Sequence, residues 1–385
     1  MKSVRVSICA VLVLTFGCGD SDHGGSVTVR PGQSIQAAVD AAAPGDTVMV
    51  TPGDYTETHS GTAAVRITKP LKLLAQSNPP DVKVRILPNP GQMDGILVEP
   101  ANPGDPDIDG VTITGFTVEG FSNNGIWLRH VNNFDIENNE SINNLENGIW
   151  PTLSANGLVK KNVAYGSQDS ALWVEGSQNV RVLNNDLHNS PTGLEITVSK
   201  EITVQTNEIH DNTIGVGLYH PATAGLGPGT PGLLPYSEMG YWHIIDNYVH
   251  DNNAPNTAPG GSETSQLPYG GGILLLGVDH VDVQTNRIEN NDFFGIAMLD
   301  YCLAVAGTEF GCPLPPELPE TAPNYDQFIG NNLANNHAAP PDGPFKPYAS
   351  DILALGGTNN CFSQNNINNT PPLAPLTIPH PLPGC

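Results

Sequence analysis

Positive charge is scarce in this chain of 385 residues, which contains 15 Lys and Arg against 39 Asp and Glu, a formal net charge of −24. This balance excludes nucleic acid as a partner, because phosphate recognition needs a basic surface. A polyanionic sugar would also be repelled unless calcium bridged it to the protein. Calcium is therefore the only cofactor that we consider, and the sequence establishes none.

Aromatic residues are also few, at 6%, whereas there are 41 Gly and 35 Pro. Such a composition could indicate disorder, but a regular period argues against it. Glycine or alanine opens a short apolar strand every 22 or 23 residues, at Gly125, Gly148, Ala171, Gly193 and Gly215. Asparagine recurs in phase with these openers, at Asn139, Asn162, Asn185, Asn207, Asn247, Asn286, Asn331 and Asn365. A unit this short cannot bury its own apolar face, so neighbouring units must stack.

The repeat predicts β-strands and not helices, because repeats of paired helices need about 33 residues or more. Segments such as Val180–Leu183 and Ile202–Gln205 alternate with a period of two and are rich in β-branched residues. Three short strands joined by corners account for one unit. We therefore predict an all-β single domain, a parallel β-helix of about ten coils over residues 27–369. Its inward columns are Ile126/Leu128, Ile149/Pro151, Leu172/Val174, Leu194/Ile196, Val216/Leu218, Ile273/Leu275 and Ile296/Met298. The asparagines should hydrogen-bond along their own column.

These patterns resemble the right-handed parallel β-helix repeat proteins of the pectate-lyase-like superfamily, over most of residues 27–369. The segments Asn147–Pro151, Gln168–Asn179 and Asn253–Pro259 are similar to a group of secreted proteins and lipoproteins of bacteria that has no established activity. The resemblance implies right-handed coils and a short N-terminal capping helix, which we assign to residues 34–42. The catalytic acids and bases of the known lyases, epimerases and methylesterases are not recognisable in this sequence.

The N-terminus has the features of an export signal. Lys2 and Arg5 precede the apolar run Val11–Phe16, which is too short to span a bilayer. The run ends before Cys18 in a pattern that resembles a bacterial lipoprotein signal. We predict a signal peptide over 1–17, acylation of Cys18 and a polar tether over 18–26, with an ordinary cleaved signal as the alternative. The protein would be exported, as an outer-membrane lipoprotein or otherwise periplasmic or secreted, touching a membrane only through the lipid.

Apart from Cys9 and Cys18, the chain has four cysteines, which lie near the C-terminus at Cys302, Cys312, Cys361 and Cys385. In an exported protein they predict two disulfides, and Cys302–Cys312 with Cys361–Cys385 is the simplest of three connectivities. A thiolate metal site is not favoured, because no Cys-x-x-Cys pair occurs. The second bridge would tie back the Pro-rich tail, residues 370–385.

An outward column on the opening strands carries Trp127, Trp150 and Trp173, with Tyr219 on a neighbouring column. If these rings are exposed, their spacing would suit successive sugar rings, so we predict a substrate-binding platform. The alternative is a satellite core beneath a covering segment. The period breaks at 221–240, 254–270, 303–325 and 337–350, and these insertions should all border the same face.

Catalytic candidates are the outward carboxylates Glu175 and Glu195 in adjacent coils, with Asp169 at the strand entrance, together with Arg129, which could neutralise a uronate. Paired acids suit acid–base catalysis or a calcium site, while ordinary surface ion pairs are the alternative. His188, His210 and His250 also stack and could hold a transition metal, but we predict no metal site.

Together these patterns predict an exported cell-surface β-helix protein, a monomer, that binds a polysaccharide through a Trp-lined face. If it is an enzyme, it would act as a polysaccharide lyase, glycoside hydrolase or epimerase. The alternative is a non-catalytic structural or adhesion solenoid. The sequence does not decide whether the protein is an enzyme.

Overall fold

The computed structural model describes residues 24–76, 82–262, 264–306, 312–367 and 382–385. The predicted signal peptide, Cys18, most of the tether and most of the Pro-rich tail lie outside these residues. The described chain winds through three parallel sheets, so that each coil contributes one strand to each sheet. This is the parallel β-helix that the repeats predict.

Within the described residues the sheets contain twelve, ten and eleven strands. The twelve-stranded sheet comprises Ser26–Val29, Thr47–Val50, Leu71–Ala75, Ile108–Thr114, Val131–Glu137, Ala155–Lys160, Gln178–Leu183, Lys200–Gln205, Trp242–Ile245, Val281–Gln284, Gln327–Ile329 and Cys361–Ser363. The ten-stranded sheet comprises Ala63–Ile67, Asp94–Val98, Ile126–Arg129, Ile149–Thr152, Ser170–Glu175, Thr192–Thr197, Ile214–Tyr219, Gly271–Leu276, Phe294–Leu299 and Ser350–Leu355. The eleven-stranded sheet comprises Gly53–Tyr55, Val84–Ile86, Phe116–Glu119, Glu140–Ile142, Val163–Tyr165, Asp186–His188, Glu208–His210, Tyr248–His250, Arg287–Glu289, Asn332–Ala334 and Asn366–Ile367.

Helices are short and lie at the ends of the chain or in the insertions. The α-helices are Ile35–Ala41 and Tyr301–Ala304. Single 3₁₀ turns occur at Pro221–Thr223, Tyr236–Glu238, Thr264–Gln266 and Lys346–Tyr348. No helix in the described part of the chain is long and apolar enough to cross a membrane.

The core is a set of columns, each with one residue per coil. The predicted inward column pairs in register on the ten-stranded sheet, and its members Ile126, Ile149, Leu172, Leu194 and Val216 are fully buried. The alternation along each strand points every second side chain inward, so the core continues from coil to coil. This confirms the predicted apolar spine.

The asparagine column forms the predicted hydrogen-bonded ladder at the corner between the twelve- and eleven-stranded sheets. Asn139 Nδ2 donates to Asn162 Oδ1 at 3.1 Å and to the Ile113 carbonyl at 2.9 Å, while the Asn139 backbone N–H donates to the same Asn162 oxygen at 3.0 Å. A second ladder, which the sequence reasoning missed, runs along the next corner through Asn212, Asn252 and Asn291. Both ladders satisfy corner backbone groups that would otherwise be buried without partners.

The helix Ile35–Ala41 lies at the N-terminal end of the solenoid. Ser34 accepts a hydrogen bond from the Ala37 N–H at 2.9 Å, and the buried Glu57 accepts from the Ser34 hydroxyl and from the Ile35 N–H. Ile35 and Val39 are buried in the main core, so this end of the spine is covered by apolar side chains.

Both predicted disulfides are present, Cys302–Cys312 and Cys361–Cys385. The second joins the chain terminus to the last strand of the twelve-stranded sheet. Nearby, the Phe362 N–H donates to the Pro383 carbonyl at 2.7 Å. The C-terminal residues 382–385 are thereby fastened to the final coil.

Candidate functional site

A cavity of about 910 Å³ lies on the outward face of the ten-stranded sheet, and we call it the loop-walled cavity. Its floor runs along this sheet from Trp173 to Leu353. Its walls include residues from all four insertions, among them Ala224, Leu267, Val305 and Phe345. The insertions therefore border one face, as predicted.

The three tryptophans stack on one another in adjacent coils. The ring centroids of Trp127 and Trp150 are 4.9 Å apart and those of Trp150 and Trp173 are 5.0 Å apart, with interplanar angles of 8° and 7°. Both faces of Trp150 are thus covered by indole rings, which leaves no face for a sugar to stack on. Only Trp173 lines the cavity, whereas Trp127 and Trp150 lie outside it.

The tryptophan column is not the exposed strip that the predicted platform requires. Trp127 and Trp150 are half-buried, and Trp173 is only 8% exposed. The indole N–H groups of Trp127 and Trp173 donate to Thr152 and Thr197 in the next coil, each at 2.9 Å. The satellite-core alternative therefore describes Trp173 better than a free platform does.

A segment of the first insertion covers Trp173 and Glu175. A Cβ added to Gly225 would lie 3.2 Å from Glu175 Oε1 and 3.7 Å from the end of the Trp173 ring. The Leu226 N–H donates to Glu175 Oε1 at 3.0 Å. Glu175, predicted as an outward carboxylate, is consequently fully buried.

Burial raises the pKa of Glu175 from 4.5 to about 7. The N–H groups of Leu226 and Gly225 oppose this rise, as does the nearby indole of Trp150, while the negative charge of Asp169 adds to it. The Trp150 indole N–H lies near Glu175 Oε2, but the two atoms do not meet the geometry of a hydrogen bond. Neither atom has another partner among the described residues. A carboxyl with such a pKa can hold or release a proton near neutral pH.

Asp169, Glu195 and Tyr219 line the cavity near Trp173: Glu195 is the register partner of Trp173, and the charges of Glu195 and Asp169 both act on Tyr219. Ser170 Oγ donates to Glu195 Oε2 at 2.6 Å, and Thr264 Oγ1 donates to Asp169 Oδ1 at 2.5 Å. Burial raises the pKa of Asp169, although the bond from Thr264 partly offsets the rise. We call Asp169, Glu195 and Tyr219 the polar end of the cavity.

Tyr219 lies across Gly217, where a Cβ would be 2.2 Å from its Cζ atom. Burial raises the pKa of Tyr219 well above its usual value, and the charges of Glu195 and Asp169 raise it further, so its hydroxyl stays protonated. Tyr219 is 4% exposed, and its hydroxyl lies close to the Thr192 hydroxyl, which opposes the rise of its pKa. The two hydroxyls do not meet hydrogen-bond geometry, and neither has another partner among the described residues. A buried donor without a partner beside a cavity suits a ligand oxygen.

Arg129 lies away from this group. Its register partner on the adjacent strand is Thr152, and the register partner of Thr152 in the next coil is Glu175. Arg129 therefore lies two coils from that carboxyl and does not line the cavity. Among the described residues, the charged groups lining the cavity are Glu146, Asp169, Glu195 and Asp342, with Lys346 bonded to Asp342 at 2.6 Å. The site is therefore acidic, which disfavours an anionic ligand.

The histidine column stacks as predicted, with ring centroids 4.9 Å apart for His188 and His210 and 5.1 Å for His210 and His250. Both ring nitrogens of His210 and of His250 are occupied by neighbours, however. Both nitrogens of His210 bond carboxylates, Asp186 at 3.0 Å and Asp211 at 2.7 Å, and the bond with Asp186 chiefly raises the pKa of His210 to about 9. Protonated imidazoles cannot ligate a metal. Across the described residues, no group of three or more His, Cys, Asp or Glu is placed to hold a metal ion.

The sequence reasoning missed Thr264 and Glu146. Thr264 lies in an insertion, where no period indicates which residue faces the sheet. Glu146 precedes the opener Gly148, and burial raises its pKa together with the charges of Asp169 and Asp94. Its place two residues before an opener, in the coil adjacent to Asp169, was a usable signal.

Residues 94–226, about a third of the chain, match the protein family described as right-handed beta helix region. No curated protein matches the chain. Among solved structures, the A-module of the Azotobacter vinelandii mannuronan C-5 epimerase AlgE6 is similar, with a TM-score of 0.52 and 16% identity over 87% of this chain and 94% of that one. A DFA-IIIase variant from Arthrobacter chlorophenolicus A6, in complex with DFA-III, has a TM-score of 0.56 and 16% identity, covering 86% and 78%.

The Dettilon tailspike protein is also similar, with a TM-score of 0.52 and 16% identity over 89% of this chain and 58% of that one. Identities this low show the fold alone. The sheet topology, the family match and these neighbours agree on the fold: the chain is a right-handed parallel β-helix.

Proposed function

We propose that the protein binds a neutral carbohydrate in the loop-walled cavity and acts on it through the carboxyl groups of Asp169 and Glu195. The observation that carries this proposal is the polar end itself, where two carboxyls and the unpartnered Tyr219 hydroxyl meet in a preformed cavity. Binding sites for small ligands are typically concave, largely apolar and furnished with a few convergent polar groups. The acidic lining argues for a neutral sugar over a polyanion.

Acid–base catalysis on a sugar needs two groups that differ in protonation. The pKa of Asp169 is raised by burial, which favours its protonated form, and Asp169 would act as the acid. Glu195, which accepts a hydrogen bond from Ser170, would act as the base, and Tyr219 would donate to a sugar oxygen. Trp173 is the member of the predicted tryptophan face that would contact the sugar here.

The named activities of two structural neighbours support a carbohydrate as the ligand, while its neutral charge is argued from the acidic cavity alone. One is named a mannuronan C-5 epimerase and the other a DFA-IIIase bound to DFA-III, and both share this fold. Their identity with this chain is too low to carry an activity across, so the proposal rests on the cavity.

The proposal is tested by screening the mature protein against neutral and anionic polysaccharides and oligosaccharides, with and without calcium, and analysing binding and products. We expect a neutral glycan to bind and to be converted, and Asp169→Asn and Glu195→Gln each to lower the rate by 10²-fold or more. Glu201→Gln, an exposed carboxyl on the twelve-stranded sheet, is the matched control. Absence of any neutral ligand, or full activity in both variants, would refute the proposal.

A non-catalytic binding protein is the second candidate, and one observation favours it. The hydrogen bond from Thr264 to Asp169 fastens the second insertion to the sheet, so Asp169 has a structural use without catalysis. Under this alternative the glycan binds, no product forms, and Asp169→Asn chiefly loosens the insertion.

We also propose that the chain is exported and anchored through acylated Cys18, which the sequence pattern and the two disulfides support. Labelling with a radioactive fatty acid tests the anchor. Cys18→Ser should abolish the label and release the protein from the membrane fraction, and a labelled Cys18→Ser protein would refute it.

A further inference from the structure

The floor of the loop-walled cavity changes from polar to apolar along the solenoid axis. Near Trp173, successive outward positions in that residue's column carry Trp173, Glu195 and Gly217. In the next three coils the same column carries Leu274, Ala297 and Leu353. The neighbouring outward column changes likewise, from Glu175, Thr197 and Tyr219 to Leu276, Leu299 and Leu355.

These leucines point away from the main core, which is filled by the alternating inward residues such as Ile273 and Leu275. Together with insertion residues such as Leu267 and Phe345 they form a second apolar cluster. That cluster does not fill the space beneath the insertions, because Leu274, Leu276, Leu299 and Leu353 all line the cavity. We call these four leucines the apolar floor.

The apolar floor offers no hydrogen-bond partner to a sugar. A carbohydrate hydroxyl placed there would lose its bonds to water without replacement, which is unfavourable. From Leu274 to Leu353 the floor spans two coil steps of ~4.8 Å, roughly 10 Å. This length suits a short acyl chain or an aryl group, and the cavity volume lies within the range of small-molecule sites, about 300–1,000 Å³.

We propose that the ligand is a neutral sugar that carries an apolar acyl or aryl substituent. The sugar lies at the polar end, against Asp169, Glu195 and Tyr219, and the substituent lies on the apolar floor. This assignment rests on the proposed function and names its substrate class. Burial of the substituent then supplies affinity, while the polar end supplies orientation.

The test is calorimetric titration of the mature protein with methyl, butyl, hexyl and octyl β-D-glucosides and β-D-galactosides, all below their micellar concentrations. We expect affinity to increase about fourfold per methylene on the apolar floor. An affinity that is the same for every chain length, or an octyl glycoside that does not bind, overturns the inference.

A matched pair of variants locates the effect. Leu274 and Leu97 occupy the same outward column with 5% and 6% exposure, but only Leu274 lines the cavity. Leu274→Gln should flatten the dependence on chain length, whereas Leu97→Gln should leave it unchanged. The wild-type series needs no variant, so the test survives if Leu274→Gln fails to fold.

The outcomes separate this inference from the proposed function. An affinity that depends on the sugar but not on the length of the alkyl chain overturns this inference and leaves the proposed function standing. The opposite result is an affinity that depends on the alkyl chain but is the same for glucosides and galactosides and is unchanged in Glu195→Gln. That result overturns the assignment of the polar end to the sugar, and with it the proposed function.

Discussion

Trp173 and Glu195 are register partners on adjacent strands of the ten-stranded sheet, and the outward column changes there from stacked indoles to a carboxylate. On one side of this boundary the column is occupied by rings that pack on each other. On the other side the floor of the loop-walled cavity begins. The indole of Trp173 therefore belongs both to the stack and to the cavity wall.

Trp173→Ala is expected to destabilise the protein strongly. The side chain is 8% exposed, stacks on Trp150 and bonds Thr197, so truncation leaves a cavity and an unpaired hydroxyl. We expect a loss of roughly 3–5 kcal/mol in the free energy of unfolding, measured by urea denaturation. Trp127→Ala is the control, since Trp127 is half-buried at the end of the same stack and should lose clearly less. Equal effects would show that Trp173 is not held by the covering insertion.

Gly217→Ala is expected to displace Tyr219. A Cβ at residue 217 would lie 2.2 Å from Tyr219 Cζ and 2.3 Å from its hydroxyl, so the ring would have to leave its place. We expect a destabilisation of roughly 1–3 kcal/mol, with a changed near-ultraviolet circular dichroism spectrum. Gly260→Ala has no atom within 4 Å of the added Cβ and should change neither. In a Tyr219→Ala background, Gly217→Ala should become nearly neutral, and a persistent effect would contradict the steric account.

The repeating parts of the molecule could be predicted because each coil restates the same physical requirement. Openers such as Gly148 and Gly193 are required because the neighbouring coil's backbone leaves no room for a Cβ, and an added one would lie 2.3–2.7 Å from other atoms. Ladder asparagines such as Asn185 satisfy the same corner groups in every coil. The period therefore predicts sheet, register and inward face together.

The site was predictable only where it coincides with the repeat. The outward columns placed Trp173 and Glu195 on the face that the insertions border. They could not show that Glu175 is buried, because the Leu226 N–H that binds it comes from an insertion without a period. Nor could they show that the indoles stack, because ring orientation depends on side-chain torsions and not on register.

Asn247→Ala tests the energetic contribution of the asparagine ladder. Asn247 Oδ1 accepts from the backbone N–H and the side chain of Asn207, at 3.0 and 2.9 Å, and its Nδ2 donates to Val204 and Asn286. Truncation leaves several buried polar groups without partners, so we expect a loss of roughly 3 kcal/mol or more by thermal or urea unfolding. Asn332→Ala removes an exposed asparagine from the eleven-stranded sheet and should change stability by about 0.5 kcal/mol or less. A loss at Asn247 no larger than at Asn332 would show that water replaces the ladder.

Glu175→Gln should alter how stability depends on pH. The pKa of Glu175 is raised in the folded protein from 4.5 to about 7, so the native state holds its proton more tightly than the unfolded chain does. Its contribution to stability is therefore full below pH 4.5, declines as pH rises, and is lost above about pH 7. This rise in pKa corresponds to ~3 kcal/mol. Between pH 4.5 and about pH 7, the free energy of unfolding of the wild type should fall by this amount relative to that of the glutamine variant. Glutamine stays neutral throughout and can still accept the bond from Leu226.

The measurement is urea unfolding of both proteins at pH 4.5, 6, 7 and 8, because the difference between them cancels the titration of groups they share. Glu201→Gln, which removes an exposed carboxyl from another sheet, controls for the change in net charge. A constant difference between wild type and Glu175→Gln across these pH values would mean that Glu175 titrates as it does in the unfolded chain. The covering segment around Gly225 and Leu226 would then not exclude water from the carboxyl, and Trp173 would have to be held by its stack and its bond to Thr197.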